Sequence, residues 1–99
     1  MQSLSIPLVE NASATGPWVF YPGGPTVLIA QGNWGAGNVT LEMLGPDGLT
    51  PLTNMTGAAI SANGLTRSFN ILMYPAGQYR ANISGGATNV YLRMDRVPI

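Results

Sequence analysis

The residues able to do chemistry are few, and their spacing argues against most of it. Glu42 and Asp47 are close in sequence; facing each other in an apolar pocket, two such carboxylates would make an acid/base pair. Asp47, however, sits in Gly45-Pro46-Asp47-Gly48, a turn in which Asp bonds its own backbone. Glu42 falls on the polar side of an alternating run and is expected to point outward. Asp47, Asn54 and nearby carbonyls offer oxygens of the kind calcium takes, without the spacing of an oxygen-rich loop. Gly32-Asn33-Trp34-Gly35-Ala36-Gly37 is glycine-rich, but neither a helical pattern nor a Lys follows it. A phosphate cradle needs both, so a flexible or bulged connection is expected there, with Trp34 capping the open end of the core. Asn-x-Ser/Thr triplets begin at Asn11, Asn38, Asn54 and Asn82. Two lie in strand-like runs and no secretory leader is visible at residues 1–7, so polar strand faces account for them.

What is missing weighs more. The 99 residues contain no Cys and no His, and no Lys; Arg67, Arg80, Arg93 and Arg96 balance Glu10, Glu42, Asp47 and Asp95 to a net charge of zero. The commonest nucleophiles, tunable bases and metal ligands are thus absent. The expectation is no enzyme: no catalytic, metal or cofactor-binding residues, no cofactor and no small-molecule substrate. Without Cys there is no disulfide framework. Without a basic patch no nucleic acid is expected as partner, and without a run of about 18 apolar residues no membrane span. Charged residues make up 8% of the chain, against roughly 25% in ordinary domains. A neutral surface offers little repulsion to association, so protein partners are expected to cover part of it.

The elements that must position these residues are strands. Thirteen Gly and eight Pro punctuate the chain, leaving short runs rich in Val, Ile, Leu, Tyr, Phe and Thr. Three runs alternate. Val39, Leu41 and Met43 oppose Asn38, Thr40 and Glu42; Tyr79, Ala81 and Ile83 oppose Gln78, Arg80, Asn82 and Ser84; Val90, Leu92 and Met94 oppose Asn89, Tyr91, Arg93 and Asp95. A period of two means one face in a core and one in water. Residues 25–30 and 69–74 read as more deeply buried strands, and 18–21 as a further short one. Pro46-Asp47-Gly48 and Asn63-Gly64 read as hairpin turns. Ser84-Gly85-Gly86-Ala87 is expected to join its two flanking strands as an antiparallel pair. Tyr79, just after Pro75-Ala76-Gly77, resembles the tyrosine corner of immunoglobulin-like sandwiches, whose hydroxyl fastens the connection.

The fold class expected is all-β, an antiparallel β-sandwich (immunoglobulin-like or jelly-roll-like) of about seven short strands. Residues 1–15 are expected to be an extended N-terminal arm and 16–99 the sandwich domain. Pro7 argues against a helix or a central strand in the first segment, which reads as an edge strand or loose terminus, or as an arm docking on a neighbour. Leu4, Ile6, Leu8 and Val9, with Trp34, are the candidate partner-binding residues.

One resemblance runs through residues 32 to 96. It comprises Gly-Asn-Trp-Gly (32–35), the Val39–Glu42 strand, Pro-Asp-Gly (46–48), Pro-Ala-Gly-Gln-Tyr-Arg-Ala (75–81), Ile-Ser-Gly-Gly (83–86) and Val-Tyr-Leu-Arg (90–93). This order resembles small head-associated structural proteins of tailed bacteriophages. The resemblance implies a capsid decoration, or cement, protein: a structural virion protein without enzymatic role, made in the host cytoplasm and placed on the capsid surface. It implies the major capsid protein as partner and a homo-oligomer, with trimers expected at lattice three-fold positions. The first fifteen residues lie outside it. Two other readings stay open: a tail, fibre or head-tail accessory component, and a carbohydrate-binding β-sandwich module using Trp18, Trp34 or Tyr91 as stacking platforms.

Overall fold

The computed structural model describes residues 3–53, 59–60, 65–67 and 72–97, with the side chains of 59, 65–67 and 72 set aside. The Asn63-Gly64 turn, the Asn54 triplet and the first half of the 69–74 run lie outside the described residues.

The strands, in chain order, are β1 (Leu4–Ala12), β2 (Val19–Tyr21), β3 (Gly24–Asn33), β4 (Asn38–Leu44), β5 (Pro51–Leu52), β6 (Ala59–Ile60), β7 (Leu65–Arg67), β8 (Leu72–Tyr74), β9 (Gly77–Ser84) and β10 (Thr88–Arg96). The fold is an all-β sandwich of two antiparallel sheets. Sheet A runs β1-β10-β3 and is completed by β8 and β7, which pair with successive lengths of β3. Sheet B runs β2-β9-β4 and is completed by β5 and β6, which divide β4 between them in the same way. Among the described residues ten short strands thus fill eight positions, where the sequence suggested about seven.

Counting each divided strand once, the sheet orders become 1-8-3-6 and 2-7-4-5. This is jelly-roll topology, which decides between the two sandwich types the sequence left open. It arises by rolling up one long hairpin. β1 pairs with β10, β2 with β9, β3 with β8 and β7, and β4 with β6 and β5. The midpoint of every one of these pairs falls between residues 47 and 51. Two further ladders, β10–β3 and β9–β4, then stitch the rolled hairpin into sheets.

The apex of that hairpin is the Asp47 turn. Gly45 N–H donates to Thr50 O at 2.8 Å and Gly48 N–H to Gly45 O at 3.0 Å. The Asp47 carboxylate accepts from Leu49 N–H (2.8 Å), Thr50 N–H (2.9 Å) and the Thr50 hydroxyl (2.6 Å). These bonds, the Thr50 hydroxyl foremost, lower the Asp47 pKa from 3.8 to about 2. The native state therefore binds fewer protons here than the unfolded chain does. The resulting stability is complete above about pH 4 and is lost as pH falls through about 2. Denaturation midpoints of the wild type and Asp47→Asn should accordingly converge between pH 4 and pH 2. A gap that stays constant with pH would contradict this role for the carboxylate.

The alternating faces meet in the core as expected. Val39, Leu41, Tyr79, Ala81 and Ile83 on sheet B lie against Val90, Leu92 and Met94 on sheet A, all buried. The residues of β9 and β10, however, do not pair. Ser84-Gly85-Gly86-Ala87 crosses from one sheet to the other, with φ of 71° and 93° at its two glycines, so the two strands face each other across the core. Period-two alternation says which side of a strand is buried; two such strands can satisfy it edge to edge or face to face. Residues 25–30 also depart from the expectation, because Val27 and Ile29 lie half-buried on the outer face of sheet A while Leu28 and Ala30 are buried.

The N-terminal segment is not a separate arm. β1 is the edge strand of sheet A, in register with β10 from Leu4↔Arg96 to Ala12↔Val90, with shifts on either side of Val9. Leu8 and Val9 are buried in the chain's own core. Pro7 is tolerated because an edge strand can spare a donor. After β1 the chain runs on along β9: Ile83 N–H donates to Thr15 Oγ1 (3.1 Å) and Gly16 N–H to Ala81 O (3.1 Å), continuing the β2 register. The proposed boundary between residues 15 and 16 therefore falls inside one folded unit.

Candidate functional site

Glu42 and Asp47 are both engaged in contacts within the fold. Glu42 is outward by strand parity yet only 5% exposed. Its register partner Arg80 donates Nε–H to Oε1 at 2.7 Å, and Asn82 donates to Oε2 at 3.2 Å. The Arg80 guanidinium lies 4.4 Å from the centroid of the Trp18 ring, a cation–π contact. The lid over Glu42 comes from β9 and from the segment before β2, which its own strand pattern could not reveal. Asp47 is committed to its turn. Among the described residues no three acidic, His or Cys side chains gather as metal ligands would.

One end of the sandwich carries the 21–24 and 74–77 connections and the Asp47 turn, and it is fastened by tyrosines. Thr26 donates its hydroxyl to Gly24 O at 2.9 Å, so Tyr21 Oη must be the donor in its short bond to Thr26 Oγ1. Tyr79 donates to Pro75 O at 2.6 Å, four residues back, the fastening that the corner motif predicts. The Tyr79 ring meets Tyr21 edge-on and Tyr74 at a tilt, both with centroids 5.9 Å apart. Burial, with smaller contributions from Tyr74 and Tyr21, pushes the Tyr79 pKa up to about 12.

Exposed apolar side chains lie toward this same end on different faces: Phe20 (62% exposed) on the outer face of sheet B, Met73 (72%) on the outer face of sheet A, Leu49 (82%) in the turn and Leu52 on edge strand β5. The pairings that bring them there are Phe20↔Gln78, Pro25↔Met73 and Leu44↔Pro51. The sequence reading missed all four. Only Phe20 carried a usable signal, since inward Val19 and Tyr21 flank it.

The residues singled out from sequence are placed differently. Leu8 and Val9 are buried in the core, and Ile6 lies half-buried against it. Leu4 is half-buried near the β1 edge. Trp34 is 3% exposed and donates its indole N–H to Ile60 O at 2.9 Å. Leu8, Val9 and Trp34 thus face the chain's own interior and present no surface to a partner; for Trp34 this is the core cap expected of it, while Leu8 and Val9 had suggested display because they follow a Pro. The same burial removes Trp34 as a stacking platform, and Trp18 is half-buried beside Arg80. Tyr91, 42% exposed, remains. It lies on the outer face of sheet A in a depression of about 410 Å³ lined by Ser5, Pro7, Glu10, Ile29, Gln31 and Arg93 among others.

No family model matches the chain, and no curated protein or solved structure does so.

Proposed function

We propose that the chain is a structural virion component, a capsid decoration (cement) protein that binds the major capsid protein lattice of a tailed bacteriophage as a homo-oligomer. The observation that carries this reading is the exposure of Phe20, Leu49, Leu52 and Met73 toward one tyrosine-fastened end. Large side chains left in water at the rigid end of a small domain suit adhesion to another protein. A low-charge surface supports the same reading, because the centres of protein interfaces are poor in charged residues. Jelly rolls recur in viral capsid domains, which is an analogy at the level of fold only. In this role the chain bridges neighbouring capsomers and shifts the shell toward its assembled state by mass action.

The test compares shells with and without the protein under heat and osmotic shock. Complete shells should outlast stripped ones, and purified particles should carry a copy number on the scale of the capsomer count. Phe20→Ser or Met73→Ser should leave the domain folded and weaken shell binding by roughly tenfold or more. Stripped shells that survive as well as complete ones would end this reading. A copy number matching a tail or a single vertex would move the protein to the tail or head-tail connection.

A further inference from the structure

The outer face of sheet A is chemically unlike the adhesive end. Its middle strand, β10, presents Tyr91, Arg93 and Asp95. On one side β1 offers Ser5, Pro7 and Glu10, and on the other β3 offers Val27, Ile29 and Gln31. The register fixes the neighbours: Tyr91↔Gln31, Pro7↔Arg93, Arg93↔Ile29 and Ser5↔Asp95. Asp95 has both carboxylate oxygens engaged, one accepting from Ser5 Oγ (2.7 Å) and the other from Arg93 Nε (3.1 Å). That pair of bonds uses one of the five guanidinium N–H groups of Arg93 and leaves the others for a ligand. No ring stacks on Tyr91 among the described residues.

We propose that this face is a saccharide-binding site, taking a neutral polyhydroxylated sugar stacked on the Tyr91 ring and hydrogen-bonded by Glu10, Gln31 and Arg93. The apolar C–H face of a pyranose seeks an aromatic surface, while its rim of hydroxyls needs both donors and acceptors. Tyr91 supplies the surface, Arg93 donates, Glu10 accepts and Gln31 does both. Charge selects a neutral ligand. Among the described side chains of this face Arg93 is matched by Asp95 and Glu10 adds a negative charge, so phosphate, sulfated glycans and nucleic acid are disfavoured. Size agrees as well. Tyr91 and Arg93 stand about 7 Å apart along β10, and β1 to β3 spans about 10 Å, room for one or two sugar rings. The depression, about 410 Å³, falls in the range of roughly 300–1,000 Å³ usual for small-molecule sites. The site is distinct from the apolar end and does not depend on the decoration role.

The experiment is an amide chemical-shift titration of the intact chain. The probes are a β-1,4-glucan tetramer, an α-1,4-glucan tetramer, a linear mannan trimer and an N-acetylglucosamine tetramer, with inorganic phosphate as the anionic control. At least one sugar should move the Glu10, Gln31 and Tyr91 amides saturably, with a dissociation constant of about 0.1–10 mM. Tyr91→Ala should weaken that binding by roughly tenfold or more, while Tyr91→Phe, which keeps the ring, should retain it. Gln31→Ala should weaken it with the ring intact. The proposal fails if no sugar moves these amides, if phosphate moves them and sugars do not, or if Tyr91→Ala binds sugar as well as wild type. Shell binding by Tyr91→Ala is read in parallel. Retained shell binding with lost sugar binding supports two separate surfaces; loss of shell binding with sugar binding unchanged assigns the face to the shell and overturns the saccharide site.

Discussion

Trp34→Ala should lower the unfolding free energy by about 3–5 kcal/mol and the melting temperature by at least roughly 12 °C. The ring closes the end of the core opposite the tyrosine-fastened one, and its indole N–H satisfies the carbonyl of Ile60, a residue of the short strand β6. Removing the ring opens a cavity that the surrounding backbone cannot fill. Gly32 already lies so close that a Cβ there would sit 2.6 Å from the ring edge. The substitution also strands a buried carbonyl, which adds to the loss. Trp34→Phe keeps most of the packing and should lose only about 1–3 kcal/mol. Urea unfolding measures both, through a fall in midpoint at unchanged slope. A Trp34→Ala protein as stable as wild type would return Trp34 to the surface and reopen it as a ligand platform.

Gly23→Ala should cost about 3 kcal/mol, a melting-temperature loss of roughly 12–24 °C. Two independent constraints act at this position. Its φ is +86°, where side chains other than glycine's hydrogen are strained. A Cβ there would also lie 2.6 Å from Ala76 N and 3.0 Å from Pro75 C. The obstacle is backbone and cannot rotate away. Pro75 is the residue whose carbonyl Tyr79 fastens, so displacing it also breaks that bond. Calorimetry should show the loss, and shell binding should fall with it, because Phe20 and Met73 lie on the strands flanking these two connections. A variant melting within a degree or two of wild type would mean that the two connections are not in contact.

The fold was legible wherever one strand face meets water. Residues 38–44, 78–84 and 89–95 declare their buried sides by simple alternation, and the chemistry of a Pro-Asp-Gly turn or a corner tyrosine is local. Pairing partners were not legible. Nothing in Ser84–Ala87 distinguishes a hairpin from a crossover between sheets, because the choice depends on what else competes for each strand edge. Glu42 misled for a related reason: strand parity gives direction, whereas burial depends on Trp18 and Arg80 arriving from elsewhere. Of the candidate site, Tyr91 was visible as an outward aromatic. Its neighbours Glu10, Ile29 and Gln31 come from strands distant in sequence, and only the register brings them alongside.

Centring the roll on the Asp47 turn has a consequence for how the chain is divided. Among the described residues every ladder joins one strand from β1–β4 to one from β5–β10, and none lies within either group. A cut between Gly48 and Leu49 therefore yields two fragments that, among the described residues, hold no native strand pairing of their own, yet between them contain all of it. Each fragment is a comb whose teeth fit only the gaps of the other. Separately expressed, they should be unstructured, and on mixing they should reconstitute the sandwich as a noncovalent complex.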